Sequence, residues 1–82
     1  MKQFVNVGTN SFISIEDIES ISPPESAPIK RMVNTAKDKN RCVEVNYGKR
    51  VKSVIVLKSG KVVLSAMLPQ TIAERIAAKN CE

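Results

Sequence analysis

Residues 42–66 read CVEVNYGKRVKSVIVLKSGKVVLSA, and the interpretation of this stretch decides the fold. Its first six residues, Cys42-Val43-Glu44-Val45-Asn46-Tyr47, alternate strictly, with Val43, Val45 and Tyr47 on one face, the pattern of a half-buried antiparallel strand. Tyr47-Gly48-Lys49-Arg50 is a turn, after which Val51 to Leu57 returns as a strand that is apolar on both faces near its end. Ser59-Gly60 closes a second hairpin into Lys61 to Ala66. Three strands joined in this way predict a meander. The longest aliphatic run, Val54-Ile55-Val56-Leu57, is a strand core and far too short to span a bilayer as a helix.

Upstream, the apolar period changes to that of a helix. Ile29, Met32, Val33 and Ala36 fall at i, i+3, i+4 and i+7, while Lys30, Arg31, Asn34, Lys37 and Asp38 cover the other face. Ser26 is placed as N-cap and Pro28 is tolerated in the first turn, where its missing N–H would have no intrahelical partner. Asn40 stands where a left-handed C′ residue is needed, so the helix is predicted over 27–39. Earlier still, Gln3 to Val7 alternates, Gly8-Thr9-Asn10 supplies turn chemistry and Ser11 to Ile15 returns, a first hairpin with Phe4 and Phe12 expected in the core. The apolar spacing slips between Ile15 and Ile18, so Glu16-Asp17 is a bend before a strand from Ile18 to Ser22, which Pro23-Pro24 ends. Downstream, Pro69 opens a terminal helix with Ile72, Ala73, Ile76 and Ala77 inward and Glu74, Arg75 and Lys79 outward. No repeat or linker divides residues 1–82, so the chain is a single α+β domain: a small antiparallel sheet, made of the N-terminal hairpin and the C-terminal meander, with one central and one C-terminal helix.

Composition limits what such a domain can do. At 82 residues the interior is small relative to the surface, and assembly into a homo-oligomer is expected to add stability. There is no His, which removes the usual general base near neutral pH and the commonest metal ligand, so a Ser-His-Asp triad, a Cys-His pair and a zinc finger are excluded. The chain is therefore read as a non-enzyme without cofactor, metal site or small-molecule substrate. Met1-Lys2-Gln3-Phe4 lacks the apolar stretch of a signal peptide, and Cys42 and Cys81 form no CxxC pair. Both are read as free thiols of a cytoplasmic protein with no membrane partner.

The net charge of +5 is unevenly spread. Residues 1–28 carry Lys2 against Glu16, Asp17, Glu19 and Glu25, whereas residues 29–61 carry ten cations against Asp38 and Glu44. Such a concentration is the footprint of a partner that is a polyanion. Lys37, Lys39 and Arg41 are accounted for by the helix macrodipole, which favours cations at a C-terminus. Lys30 and Arg31 are not, because they stand in a first turn, where cations are disfavoured unless Glu25 pairs with one of them or a phosphate binds there. The sharper signal is Lys49, Arg50 and Lys52, with Arg50 and Lys52 two apart and so on one strand face. A cationic cluster on a projecting ribbon suits contact with duplex phosphates, although edge lysines also guard against aggregation. Lys58 and Lys61 flank the opposite turn, roughly 20 Å away along the strand, so only an assembly could align both clusters on one polyanion. With Tyr47 the lone aromatic near the basic turn, stacking on single strands is disfavoured. Glu16, Asp17 and Glu19 read as a solvated bend rather than a cation site, and Gly8, Gly48 and Gly60 as turn glycines rather than a phosphate loop.

The segment Ser22-Pro23-Pro24-Glu25-Ser26-Ala27-Pro28-Ile29-Lys30-Arg31-Met32 resembles the most recognisable motif of the RemA family of small bacterial regulators, Ser-Pro-Glu-Ser-Ala-Pro-Ile-Lys-Arg-Met. Asn6-Val7-Gly8, Tyr47-Gly48-Lys49-Arg50 and Val63-Leu64-Ser65-Ala66 with Pro69 extend the resemblance over essentially the whole chain. It implies a DNA-binding transcriptional regulator of extracellular matrix and biofilm genes, associated with the nucleoid, working as a closed, ring-like oligomer that engages the DNA backbone. Two family arginines that contact DNA fall on Lys49 and Arg50, so the charge is kept and one bidentate fork is lost. A further family arginine aligns with Asp17, a reversal of sign. The expectation is a homo-oligomeric regulator that grips double-stranded DNA through Lys49, Arg50 and Lys52, with Lys30 and Arg31 as secondary contacts. The alternative is a structural or protein-interaction subunit of the same fold that does not bind DNA.

Overall fold

The computed structural model describes residues 3–8 and 11–80, the side chains of residues 79 and 80 excepted. Six strands and two helices follow in the order β1 (Phe4–Gly8), β2 (Ser11–Ser14), a 3-10 turn (Ile15–Asp17), β3 (Ile18–Ser22), α1 (Ala27–Asp38), β4 (Cys42–Glu44), β5 (Ser53–Leu57), β6 (Val62–Ser65) and α2 (Pro69–Asn80). The chain is thus α+β. Thr9, Asn10, Cys81 and the side chain of Lys79, to which the sequence assigns turn, thiol and surface roles, lie outside the described residues.

β1 and β2 form the expected antiparallel hairpin, and Glu16-Asp17 the expected bend. The remaining strands form a second sheet in the order β3-β5-β6-β4. Here the expected meander is corrected. β5 and β6 are an antiparallel hairpin closed at Gly60, but β4 lies parallel to β6 at the sheet edge and does not touch β5, so the sheet is mixed. Alternation specifies which face of a strand is buried and not which strand lies beside it. All four residues of β6 are buried, so placing it between two neighbours pairs both of its edges, whereas β4, with Val43 and Glu44 exposed, tolerates an edge. The strand also ends early. Val45 still donates its N–H to the Leu64 carbonyl at 2.9 Å, and then the chain turns away with Tyr47 at φ 47° and Gly48 at φ 81°, leaving Tyr47 66% exposed rather than beside Val43 and Val45. Val51 and Lys52 precede β5 rather than forming part of it.

The alternation of β5 and β6 separates two cores. Val54, Val62 and Leu64 point to α1, meeting Ala36, Ile29 and Val33, while Ile55 and Val63 point to the opposite side, meeting Val5, Val7 and Val45 and Ile72 of α2. The molecule is therefore three layers, with α1 on one face of the sheet and the hairpin plus α2 on the other. Ser53 and Ser65 are buried on this second face, and their hydroxyls donate to the carbonyls of Met67 and Val7. Those bonds tie the segment before α2, and the hairpin, onto the sheet. Gly8 is required at the end of the hairpin because a Cβ there would lie 2.7 Å from the carbonyl oxygen of Val45.

Helix α1 starts and stops where the sequence places it. Ser26 takes the extended N-cap conformation and accepts the Lys30 N–H at 3.0 Å through its backbone carbonyl, although its hydroxyl makes no cap bond. Asn40 adopts φ 57° and Arg41 donates to the Ala36 carbonyl at 2.7 Å, the left-handed exit that was expected. Five expected core positions are corrected. Phe4 and Phe12 are 46% and 60% exposed, because Val5 and Val7 take the inward positions of β1. Ala73 and Ala77 are exposed on α2, which packs through Ile72 and the half-buried Ile76, and Met32 lies at the outer margin of the α1 stripe.

Candidate nucleic-acid interface

The loop from Asn46 to Lys52 arches across the end of β6, joining the edge strand to the centre of the sheet. It is anchored at both ends, since Val45 donates to Leu64 and Lys52 donates to the Ser65 carbonyl at 2.8 Å. Its tip is a tight turn in which Lys49 donates its N–H to the Asn46 carbonyl at 2.9 Å, while the Asn46 side-chain amide donates back to the Lys49 carbonyl at 2.6 Å. With φ positive at both Tyr47 and Gly48, this is the left-handed pair typical of hairpin tips, used here to present a crossover loop. The basic hairpin expected from the sequence is therefore a braced loop between strands that are not neighbours.

This bracing brings together residues that the sequence holds apart. Lys49 and Lys52 line a cleft of about 390 Å³ with Asn6 and Gly8 of β1, Val45, Asn46, Ala66, Met67 and Arg75 of α2. Among the described residues no acidic side chain lines it. Arg75 is exposed and donates through Nη1 to the carbonyl of Asn6 at 3.3 Å, a contact across 69 positions of sequence. That bond aims the guanidinium over the hairpin beside the cleft and leaves further donors open to solvent. Arg50 is exposed in the same loop but does not line the cleft, and because residues 50 and 52 precede the strand, strand alternation does not put them on one face.

Lys30 lines a separate, mostly apolar groove of about 290 Å³ between α1 and the sheet, shared with Val51 from the end of the basic loop, and Arg31 beside it is exposed. Among the described residues the one ion pair is Lys37 with Glu44 at 3.9 Å, so Glu25 neutralises neither Lys30 nor Arg31. Their unfavourable place in a first turn is not offset by an ion pair among the described residues. At the other end of β5, the Lys58 N–H donates to the Asp17 carbonyl at 2.8 Å, which places the sign-reversed position beside the 58–61 turn and not beside Lys49. Lys39 and Arg41 line a third, smaller hollow there with Gly60. Burial pushes the Cys42 thiol up, with Lys37 opposing this only in part, so it is a packing thiol of the α1 core rather than an activated nucleophile. Among the described residues no cluster of three or more His, Cys, Asp or Glu side chains could hold a metal, and no helix is long and apolar enough to cross a membrane.

Two contributors escaped the sequence reading. Arg75 reads there as an ordinary outward residue of an amphipathic helix, and Asn46 as a strand residue. No sequence signal marks either one, because both roles arise from contacts with segments distant in the chain or from the premature end of β4.

Fold and site together define a small basic α+β protein in which Lys49, Lys52 and Arg75 meet at a cleft at the end of a mixed sheet. The chain belongs to the RemA-like family, described as Extracellular matrix regulatory protein A-like, whose profile matches residues 4–76. It is similar to a protein named "Putative regulatory protein" from Lachnoclostridium phytofermentans, 43% identical over 76 residues that cover 93% of this chain and 84% of the relative. A protein of the same name from Carboxydothermus hydrogenoformans is 43% identical over 78 residues, covering 95% and 90%. Another from Trichormus variabilis is 42% identical over 73 residues, covering 89% and 83%. These relationships place the chain among regulatory proteins.

Proposed function

We propose that this regulator acts by binding double-stranded DNA, gripping phosphates through Lys49, Arg50 and Lys52, with Lys30 and Arg31 as secondary contacts, and that extracellular matrix genes are its targets. The observation that carries the reading is the acid-free cleft of Lys49 and Lys52, with Arg50 exposed on the same braced loop. Contacts of this kind neutralise phosphates with little dependence on base sequence, so affinity follows salt concentration. Lys49 contributes a point charge and Arg50 a fork able to hold two phosphate oxygens. The working form is a closed, ring-like homo-oligomer, which would repeat the basic loop along a duplex. In support, Phe4 and Phe12 stand on the outer face of the hairpin, diagonal across the β1–β2 pairing, and Leu68 is 55% exposed, an apolar surface suited to contact between copies.

The test is a mobility shift of duplex DNA over a salt series with Arg50→Ala, combined with light scattering with and without duplex. The substitution is expected to weaken binding to all sequences and to lower the salt slope by about one unit per contacting protomer. Unchanged affinity and slope would remove Arg50 from the interface. The exposed phenylalanines and the acidic residues 16–19 also favour a second reading, a protein-interaction subunit of the same fold. An intact oligomer that shifts no duplex even at low salt would select it.

A further inference from the structure

We infer that the cleft between the basic loop and α2 is a built phosphate seat, and that Arg75 is its third cationic ligand. The inference deepens the reading of the loop as a DNA contact and rests on it for the duplex arm of the test. Three cations from two segments meet there: Lys49 and Lys52 from the tip and the anchored end of the loop, and Arg75 from the second turn of α2. Among the described residues none of the three is in an ion pair and no carboxylate lines the cleft to neutralise them. Unpaired cations held around one hollow repel one another, and a bound anion is what removes that repulsion. The placement is not that of free surface side chains. The Arg75 guanidinium is held by the Asn6 carbonyl, and the Asn6 side chain accepts the Gly8 N–H at 3.0 Å, which stiffens the hairpin end that holds it.

A second feature points to a ligand. The side-chain oxygen of Asn46 is buried in the cleft wall with no hydrogen-bond partner, while its amide nitrogen is engaged by the Lys49 carbonyl. A buried acceptor without a donor is costly, and a group entering the cleft with a hydroxyl beside its phosphate would satisfy it. The shared ligand chemistry is a phosphate group, drawn from the backbone of duplex DNA or from a free nucleotide, and of the two only the free ribonucleotide carries hydroxyls that could donate to the Asn46 oxygen. A volume near 390 Å³ admits a nucleoside monophosphate as readily as one backbone phosphate with its sugar.

The experiment compares the full chain with Arg75→Ala and Arg75→Lys, by duplex mobility shift over a salt series and by amide NMR titration with adenosine monophosphate and inorganic phosphate. Arg75 is exposed, so both variants should melt close to the parent chain, which a thermal scan checks. Arg75→Ala is expected to weaken duplex binding roughly five- to tenfold near 0.1 M salt with a shallower slope, and Arg75→Lys to keep the slope while losing part of the affinity. Both small phosphates should shift the amides of 46–52 and 75 in the parent chain and not in Arg75→Ala. If the parent binds no duplex while adenosine monophosphate still shifts those amides in an Arg75-dependent way, the DNA reading fails and the seat stands as a small-molecule site. Parental duplex affinity and slope in Arg75→Ala overturn the assignment of Arg75. So does the absence of any amide shift with either small phosphate in a parent that binds no duplex.

Discussion

The two ends of the central sheet both carry cations and arrange them differently. At the 58–61 end, the Lys58 N–H is held by the Asp17 carbonyl, and Lys39 caps α1, where the helix dipole already favours positive charge. The helix dipole thus accounts for Lys39 and Arg41. At the 46–52 end, Lys49, Lys52 and Arg75 surround a larger cleft, and Lys30 and Arg31 stand in a helical first turn without an ion-pair partner among the described residues. Neither that cleft nor the hollow at Lys39 and Arg41 has an acid among its described lining residues, so the difference lies in where the cations come from: the 46–52 cleft gathers them from the loop and from α2 across the fold, whereas Lys39 and Arg41 are sequence neighbours at the end of α1.

Paired substitutions at the two ends test the contrast directly. The largest effect is expected from Lys49→Ala with Lys52→Ala, which should cost roughly 30-fold in duplex affinity near 0.1 M salt, about 2 kcal/mol, with melting little changed. Next come the glycines that shape each end. Gly8→Ala places a Cβ against the Val45 backbone, and should lower the free energy of unfolding in urea by about 2 kcal/mol and weaken duplex binding, since Val45 and Gly8 both line the cleft. Gly60→Ala should cost only about 1 kcal/mol, from its φ of 94°, because the nearby Arg41 guanidinium at 3.2 Å can swing aside. It should leave duplex affinity at the parental value. The smallest effect is expected from Lys58→Ala with Lys61→Ala, below about twofold in affinity at the same salt. A loss there equal to that of the Lys49 and Lys52 pair would break the distinction between the ends. A Gly60→Ala loss of binding matching that of Gly8→Ala would do the same.

Much of the fold was legible because its local signals agree with its global form. The Ser26-Pro28 start and Asn40 exit of α1, the bend at Glu16-Asp17, the first hairpin and the Gly60 turn all follow from capping, turn chemistry and apolar spacing. The neighbour of β4 was not legible. Val43 and Val45 alternate as they would beside β5, and only the burial of all of β6 makes the parallel edge position the better arrangement. The aromatic positions misled for a related reason. Phe4 belongs to a strand whose two faces both carry apolar residues, and the choice of Val5 and Val7 as the inward set depends on their fit against Ile55, Val63 and Ile72.

For the site, the chain alone identified the basic loop and separated its cations from those that a helix C-terminus explains. These properties are local, set by residue type and spacing within a few positions, and they also carried the family resemblance through the Pro-Ile-Lys-Arg-Met motif. Only the tertiary structure decided that Lys49 and Lys52 face Arg75, that Arg50 stands apart from them, and that Asp17 lies at the opposite end beside Lys58. Those relations depend on β6 being threaded between β4 and β5 and on α2 packing over the hairpin through Ile72. Such placement comes from burying apolar faces against partners distant in the chain, and no periodicity within one segment encodes it.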